Sequence, residues 1–220
     1  MLRCTKHEAT EKAGEQKGFT IVELMVALSI LSTLLVMSTV ILIQIGKLYT
    51  KGVNEAATQN AARDIINDLS SQLQLSGNAP DNDTPGVKCI GNQRYTFNLN
   101  HKLVTPPATG NYVIHVLWRD TIGDNGPCVP VDLTQATPGD THTLPNSGVE
   151  MVPLNARLTD FSITPNQNNT YAIRVTVAYG DDDLVQFDST HDITTCSSGV
   201  GTEFCAVSSL NITVARRLVQ

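Results

Sequence analysis

Cations are scarce in this chain. Fifteen Lys and Arg stand against 21 Asp and Glu in 220 residues, giving a net charge of −6 and a pI near 5.3. That balance excludes a protein that grips nucleic acid by charge, because neutralising phosphates takes a basic face. Catalytic signatures are missing too. The five histidines, His7, His101, His115, His142 and His191, are scattered, with no H-E-x-x-H, no G-x-S-x-G and no Gly-rich loop after a strand. His115 reads as a half-buried strand residue rather than a general base. No cysteine pair has the C-x2-C spacing of a zinc site, and no internal repeat occurs. An enzyme is not expected, nor is a cofactor. Charged residues make up only 16% of the chain and hydrophobic ones 41%, enough apolar material to exclude a disordered protein.

The apolar residues are unevenly placed. Residues 1–18 are polar, with Arg3, Lys6, Lys12 and Lys17 set against Glu8, Glu11 and Glu15. From Phe19 to Ile45 the sole charge is Glu23, and the twenty residues from Leu24 to Ile43 contain no charge, Gly or Pro. As a helix rising 1.5 Å per residue, those twenty span roughly 30 Å, the thickness of a bilayer's hydrocarbon core. Four cations precede the run and only Lys47 and Lys51 follow it closely, which places the N-terminus in the cytoplasm. A cleaved secretory signal is the rival reading. It would have an apolar stretch of about 7–15 residues and a small-residue cleavage site, and this run is too long and lacks the site.

Beyond it the helical pattern continues in soluble form. Val53, Ala57, Ala61, Ile65, Ile66, Leu69 and Leu73 recur at three- and four-residue spacing between polar residues, and Gly77 and Pro80 end the run. One helix is predicted from about 19 to 76, with Gly46 and Gly52 as candidate soft points. The apolar stripe is read as packing on the protein's own sheet. After Gly77 the period changes to two. Arg94–Asn98, Asn111–Trp118, Val129–Leu133 and Leu210–Arg217 read as strands. The clearest pair is Arg157–Thr164 and Thr170–Gly180, an antiparallel hairpin turning at Pro165–Asn169. The stretches 77–93 and 134–148 read as turn-rich loops. The expected fold is α+β, a long N-terminal helix on an antiparallel sheet. Its segments are a leader (1–18), an apolar helix (19–46), the amphipathic half of that helix (47–76) and a β-rich domain (77–220).

At the head of the apolar run stands Lys17-Gly18-Phe19-Thr20-Ile21-Val22-Glu23-Leu24. A Gly-Phe-x-x-x-Glu opening a membrane-length helix after a polar leader resembles the class III signal of type IV prepilins and pseudopilins. The resemblance covers the motif, the apolar helix and the helix-then-sheet layout. It implies cleavage between Gly18 and Phe19 by prepilin peptidase, methylation of the new Phe19 amine, and assembly with other pilin or pseudopilin subunits into a filament. Before assembly the chain would cross the inner membrane once. The leader carries four cations and three acids, so its loss takes the net charge from −6 to −7 before the new terminus is counted. Physical reasoning adds to this. Gly18 lets an extended backbone enter a protease groove. A carboxylate in an apolar helix is costly and calls for a partner. The expected partner of Glu23 is the Phe19 ammonium of a neighbouring subunit, a pairing that would set axial register as one buried polar group does in a coiled coil. Snorkelling to headgroups, or pairing with its own Phe19, is the alternative. Ser32 and Val40 stand where major pilins carry helix breakers, and the mature length is 202 of the 220 residues. Both traits resemble minor subunits, such as the J-type pseudopilins of type II secretion or the W-type minor pilins.

Cys4 lies in the leader. Cys89, Cys128, Cys196 and Cys205 lie in the segment expected outside the cytoplasm, and an even number there reads as two disulfides with three possible connectivities. Cys196–Cys205, closing a Ser- and Gly-rich loop, and Cys89–Cys128 are favoured. Asp181, Asp182 and Asp183 form a weak calcium candidate and read first as a polar turn. Asp81-Asn82-Asp83 lacks the acid that completes a calcium loop. A second functional class remains open, a membrane-anchored or tip-displayed binding module in which the 77–220 domain captures a surface, a secreted substrate or DNA.

Overall fold

The computed structural model describes residues 18–81, 84–103, 112–113, 115–123, 126–135, 148–187 and 193–217. Helix α1 runs unbroken from Ile21 to Leu75. Then come strands β1 (Val87–Ile90), β2 (Gln93–Phe97), β3 (Tyr112–Val113), β4 (Leu117–Thr121), β5 (Thr134–Gln135), β6 (Val149–Glu150), β7 (Ala156–Pro165), β8 (Thr170–Tyr179), β9 (Val185–Phe187), β10 (Ile193–Cys196) and β11 (Ala206–Ala215). The layout is α+β: one long N-terminal helix with antiparallel sheets. The chain divides into two compact units, Met1–Ile45 and Gly46–Gln220.

The first unit is the apolar part of α1. Its large side chains lie in the open, with Ile21 79% and Val36 65% exposed. A helix apolar on every side has no polar face to turn to water, which is the composition of a membrane span.

In the second unit α1 continues through Gly46 and Gly52 as helix. Its predicted stripe is covered from Ala61 onward, while Val53 and Ala57 stay exposed: Ala61, Ala62, Ile65, Ile66, Leu69 and Leu73 are buried and share one core with Tyr95, Leu117, Leu158, Phe161, Ile173 and Val175. Each large aliphatic in that core contributes about 1.5–3 kcal/mol. Two sheets supply the other wall, one ordered β1-β2-β4-β6 and one ordered β11-β8-β7. The predicted hairpin is β7–β8, with Ile163 opposite Ile173. Its turn holds Asn168 and Asn169 at φ 59° and 54°, where short polar side chains tolerate the left-handed region. Ile212 of β11 also faces Ile173, so β8 is the central strand.

Polar ties hold helix to sheet. Tyr95 Oη donates to Asp68 Oδ2 at 2.7 Å, and Arg119 pairs with the same carboxylate. Arg217 N donates to the Gln74 carbonyl at 3.3 Å, while Asn54 Nδ2 donates to the Glu203 carbonyl at 3.2 Å. Strand β11 therefore runs from the Asn54 level of the helix up to the Gln74 level, a rise of about 30 Å.

Several expectations need correction. The stretch 77–93 is no simple loop: β1 lies within it and turns at Gly91-Asn92 into β2, with Gly91 at φ 58°. That Gly-Asn turn was the missed signal. The strand expected over Asn111–Trp118 is two strands, β3 and β4, and β4 runs on to Thr121. No strand forms over Val129–Leu133. Pro127 and Pro130 remove amide donors there, and side chains from β2 bond that stretch instead, Arg94 to the Val129 carbonyl (3.1 Å) and Thr96 Oγ1 to Val131 N (3.2 Å). The strand nearby is β5, in the stretch expected as loop, and residues 136–147 lie outside those described. The last strand starts at Ala206, four residues before the expected Leu210, and ends at Ala215.

Candidate functional site

The predicted site begins in open chain. Among the described residues no heavy atom lies within 4 Å of where a Gly18 Cβ would stand, so none of them calls for glycine there. Phe19 is 90% exposed. Thr20 then caps α1. Glu23 N donates to Thr20 Oγ1 at 3.2 Å, and Thr20 N and Oγ1 both donate to Glu23 Oε2 at 2.9 Å. This is a capping box, two orphan amides of the first turn answered reciprocally, with an acid at the positive end of the helix dipole. The sequence signal was there in Thr20-x-x-Glu23, and reading Glu23 for its charge alone overlooked it. Both bonds fall on Oε2, and Oε1 takes no hydrogen bond from the described residues.

Downstream, each hydroxyl in the Leu24–Ile43 run turns back on the helix. Ser29 donates to the Val26 carbonyl, Ser32 to Leu28, Thr33 to Ile30, Ser38 to Leu34 and Thr39 to Leu35, all at 2.7–2.9 Å. In hydrocarbon an unmet hydroxyl costs a lost hydrogen bond, and here none is left unmet.

The other candidates lie far along the chain, in the second unit. Cys89 bonds Cys128, and Cys196 bonds Cys205. Asp181 pairs with Lys102, which holds its carboxyl below the usual range, and Asp182 pairs with Arg157 Nη1 at 2.7 Å. Two of the three acids of the Asp181–Asp183 turn are thus paired with side-chain cations. Among the described residues no three His, Cys, Asp or Glu gather in a metal-holding group. His115 precedes β4 rather than lying in a strand. Its Nδ1 is 3.1 Å from Glu150 Oε2, and its ring lies tilted at 56° against Trp118 with centroids 4.5 Å apart. Glu150 also accepts the amides of Val116, Leu117 and Val152, so it closes a sheet edge rather than poising a base. His7, His142, His191, Asn82 and Asp83 lie outside the described residues.

Residues 15–39 match the family model of the prokaryotic N-terminal methylation motif. The segment is a prepilin-type signal. Its match takes in Gly18, Phe19, the Thr20–Glu23 capping box and most of the apolar run. The signal supports a type IV pilin-like subunit processed at its N-terminus and bearing an apolar helix, and it points to a structural role rather than catalysis. Neither the curated proteins nor the solved structures contain a significant match to this pilin-like chain.

Proposed function

We propose that this pilin-like chain is a minor subunit of a type IV pilus or type II secretion-like filament. Prepilin peptidase would cut between Gly18 and Phe19 and methylate the Phe19 amine. The subunit would cross the inner membrane once, N-terminus in the cytoplasm, and then pass into a filament outside it. The observation that carries this reading is the prepilin-type signal heading a helix with no break from Ile21 to Leu75.

The helix start supplies a mechanism. In the separate chain the capping box holds Glu23 on its own Thr20 through Oε2. In a bundle Oε1 would accept the Phe19 ammonium of an adjacent subunit, and the two charges would leave water together. A subunit one turn out of place would leave a carboxylate and an ammonium unpaired in an apolar core, so the pairing selects the axial stagger. Cys89–Cys128 and Cys196–Cys205 would form after the 77–220 domain reaches an oxidising compartment. The lack of Gly and Pro between Phe19 and Ile45 supports a minor subunit. Mass spectrometry of the N-terminus of sheared filaments tests the reading. A methylated Phe19 is expected, and any other terminus would overturn the processing site.

A further inference from the structure

We propose that the outer edge of β11 docks an extended segment of a neighbouring filament subunit, which adds a fourth strand to the β11-β8-β7 sheet and brings a carboxylate to Arg216 and Arg217. The proposal rests on the reading that the chain enters a filament.

The phase of the ladder shows which backbone groups are on offer. Arg216 N donates to the Asn169 carbonyl at 3.1 Å, one step beyond the Ala215–Thr170 pair of the β11–β8 register. In an antiparallel pair the bonded positions recur every second residue. The even-numbered residues of β11 therefore bond β8, and the odd-numbered ones point away from it. Arg217 N keeps the phase by donating to the Gln74 carbonyl of α1 instead. The amides and carbonyls of Ser209, Asn211 and Thr213 line the outer edge. Among the described residues they have no backbone partner, and all three residues are exposed.

Folded domains guard such edges with charges, prolines, bulges, short strands or a covering segment. The other edges here carry guards. Strand β6 is two residues long. Strand β1 has four residues and Lys88, and Asp81 exchanges both backbone bonds with Cys89. Strand β7 is bulged between Leu158 and Asp160, ends on Pro165 and is covered at its start by Asn100 and Leu103. Among the described residues β11 has none of these. Its ten residues, AVSSLNITVA, pair with β8 without a register shift and contain no charge, Gly or Pro.

The open edge specifies what covers it. A row of alternating N–H and C=O groups is complemented by another polypeptide backbone in extended form. The added strand would lie beside half-buried Leu210 and Ile212 on the core face and beside Ser209, Asn211 and Thr213 on the other, so alternating apolar and hydroxyl residues fit it. At the end of the strand Arg216 Nε is buried without a hydrogen-bond partner and Arg217 is exposed. An acid of the incoming segment would answer a donor that this chain leaves unmet. A neighbouring subunit is the fitting source, because assembly holds it alongside and a short ladder gains from that effective concentration.

Hydrogen exchange resolved to single amides tests the proposal, comparing the full chain in detergent with the same chain in sheared filaments. In detergent the amides of Ser209, Asn211 and Thr213 should exchange fast and those of Leu210 and Ile212 slowly. In filaments the three outward amides should slow by about tenfold or more, the weight of one net hydrogen bond. Outward amides that stay fast in filaments would overturn the docking edge and leave filament entry intact. A chain absent from filaments would overturn both readings. Outward amides already slow in detergent would overturn the docking edge as well, assigning its cover to the chain itself or, if the chain sediments as a dimer, to a second copy. Asn211→Pro deletes one outward N–H and no bond to β8, so it should keep the Leu210 and Ile212 amides slow yet be lost from filaments. If those two amides speed up, Asn211→Lys takes its place as an edge guard. Wild-type incorporation of either folded variant would overturn the proposal. Arg217→Glu should be depleted likewise, and unchanged incorporation would overturn the carboxylate as part of the partner.

Discussion

Tyr95→Phe removes one oxygen atom from the tie between helix and sheet. Tyr95 is fully buried, and its hydroxyl donates to Asp68 Oδ2 at 2.7 Å while its ring stays among Phe161 and the core. Phenylalanine fills the same space, so the loss is the hydrogen bond alone. Bonds to charged groups contribute about 1.5–3 kcal/mol net. Asp68 keeps Arg119 and has 18% of its side chain exposed to take a water, so the low end, about 1.5 kcal/mol, applies. In a unit of this size that lowers Tm by about 3–6 °C. The pH dependence makes the prediction sharper. Burial pushes the Tyr95 phenol well above its ordinary 10.0, and the Asp68 hydrogen bond and charge push the same way. Above pH 10 the unfolded chain releases this proton and the folded one keeps it, so the tyrosine's contribution falls by about 1.4 kcal/mol per pH unit. Phenylalanine has no proton to release. The gap between wild type and variant should thus be full at pH 8 and close to zero by about pH 11. Circular-dichroism melts at both values measure it, in a Cys4→Ser background so that no free thiol attacks the disulfides. A gap that stays constant or widens with pH would refute the argument that Tyr95 stabilises the fold as a neutral donor.

Other expected outcomes follow from the same geometry. Glu23→Gln keeps an oxygen for the capping box but loses the charge, whereas Glu23→Leu loses both. If the Phe19 pairing governs assembly, both variants are processed and inserted yet absent from sheared filaments; normal incorporation of the Gln variant would leave only the cap as a role for Glu23. Asp120 has no exposed side-chain surface and takes a bidentate pair from Arg94, so Asp120→Ala leaves a largely buried guanidinium with the Val129 carbonyl but no counter-charge and should cost about 3–5 kcal/mol in urea unfolding. Loop-closure entropy ranks the disulfides: replacing Cys89 and Cys128 by Ser, across a separation of 39 residues, should cost about 4 kcal/mol, against about 3 for Cys196 and Cys205 across 9. Equal losses in thermal melts would remove loop length as the cause.

Local periodicity and local chemistry were legible from the chain alone. The helix, its covered stripe and the β7–β8 hairpin follow from spacings of three, four and two, because each pattern commits a residue to a face within a few neighbours. The Gly18–Glu23 signal was equally readable, since the residues that carry it are contiguous. Tertiary structure decided what depends on residues far apart. Strand β8 is central because β7 and β11 both pair with it, a fact no window of alternating residues contains. Arg94 and Thr96 took over the bonds of the proline-flanked stretch at Val129–Leu133, and Asp182 was claimed by Arg157, across separations of 35 positions or fewer but by folding rather than by sequence. Most telling is Glu203, whose side chain meets Lys47 and whose carbonyl meets Asn54, contacts that join segments 156 and 149 positions apart. Short-range sterics write the elements into the sequence; which side chains satisfy one another is settled only when burial forces every polar group to find a partner.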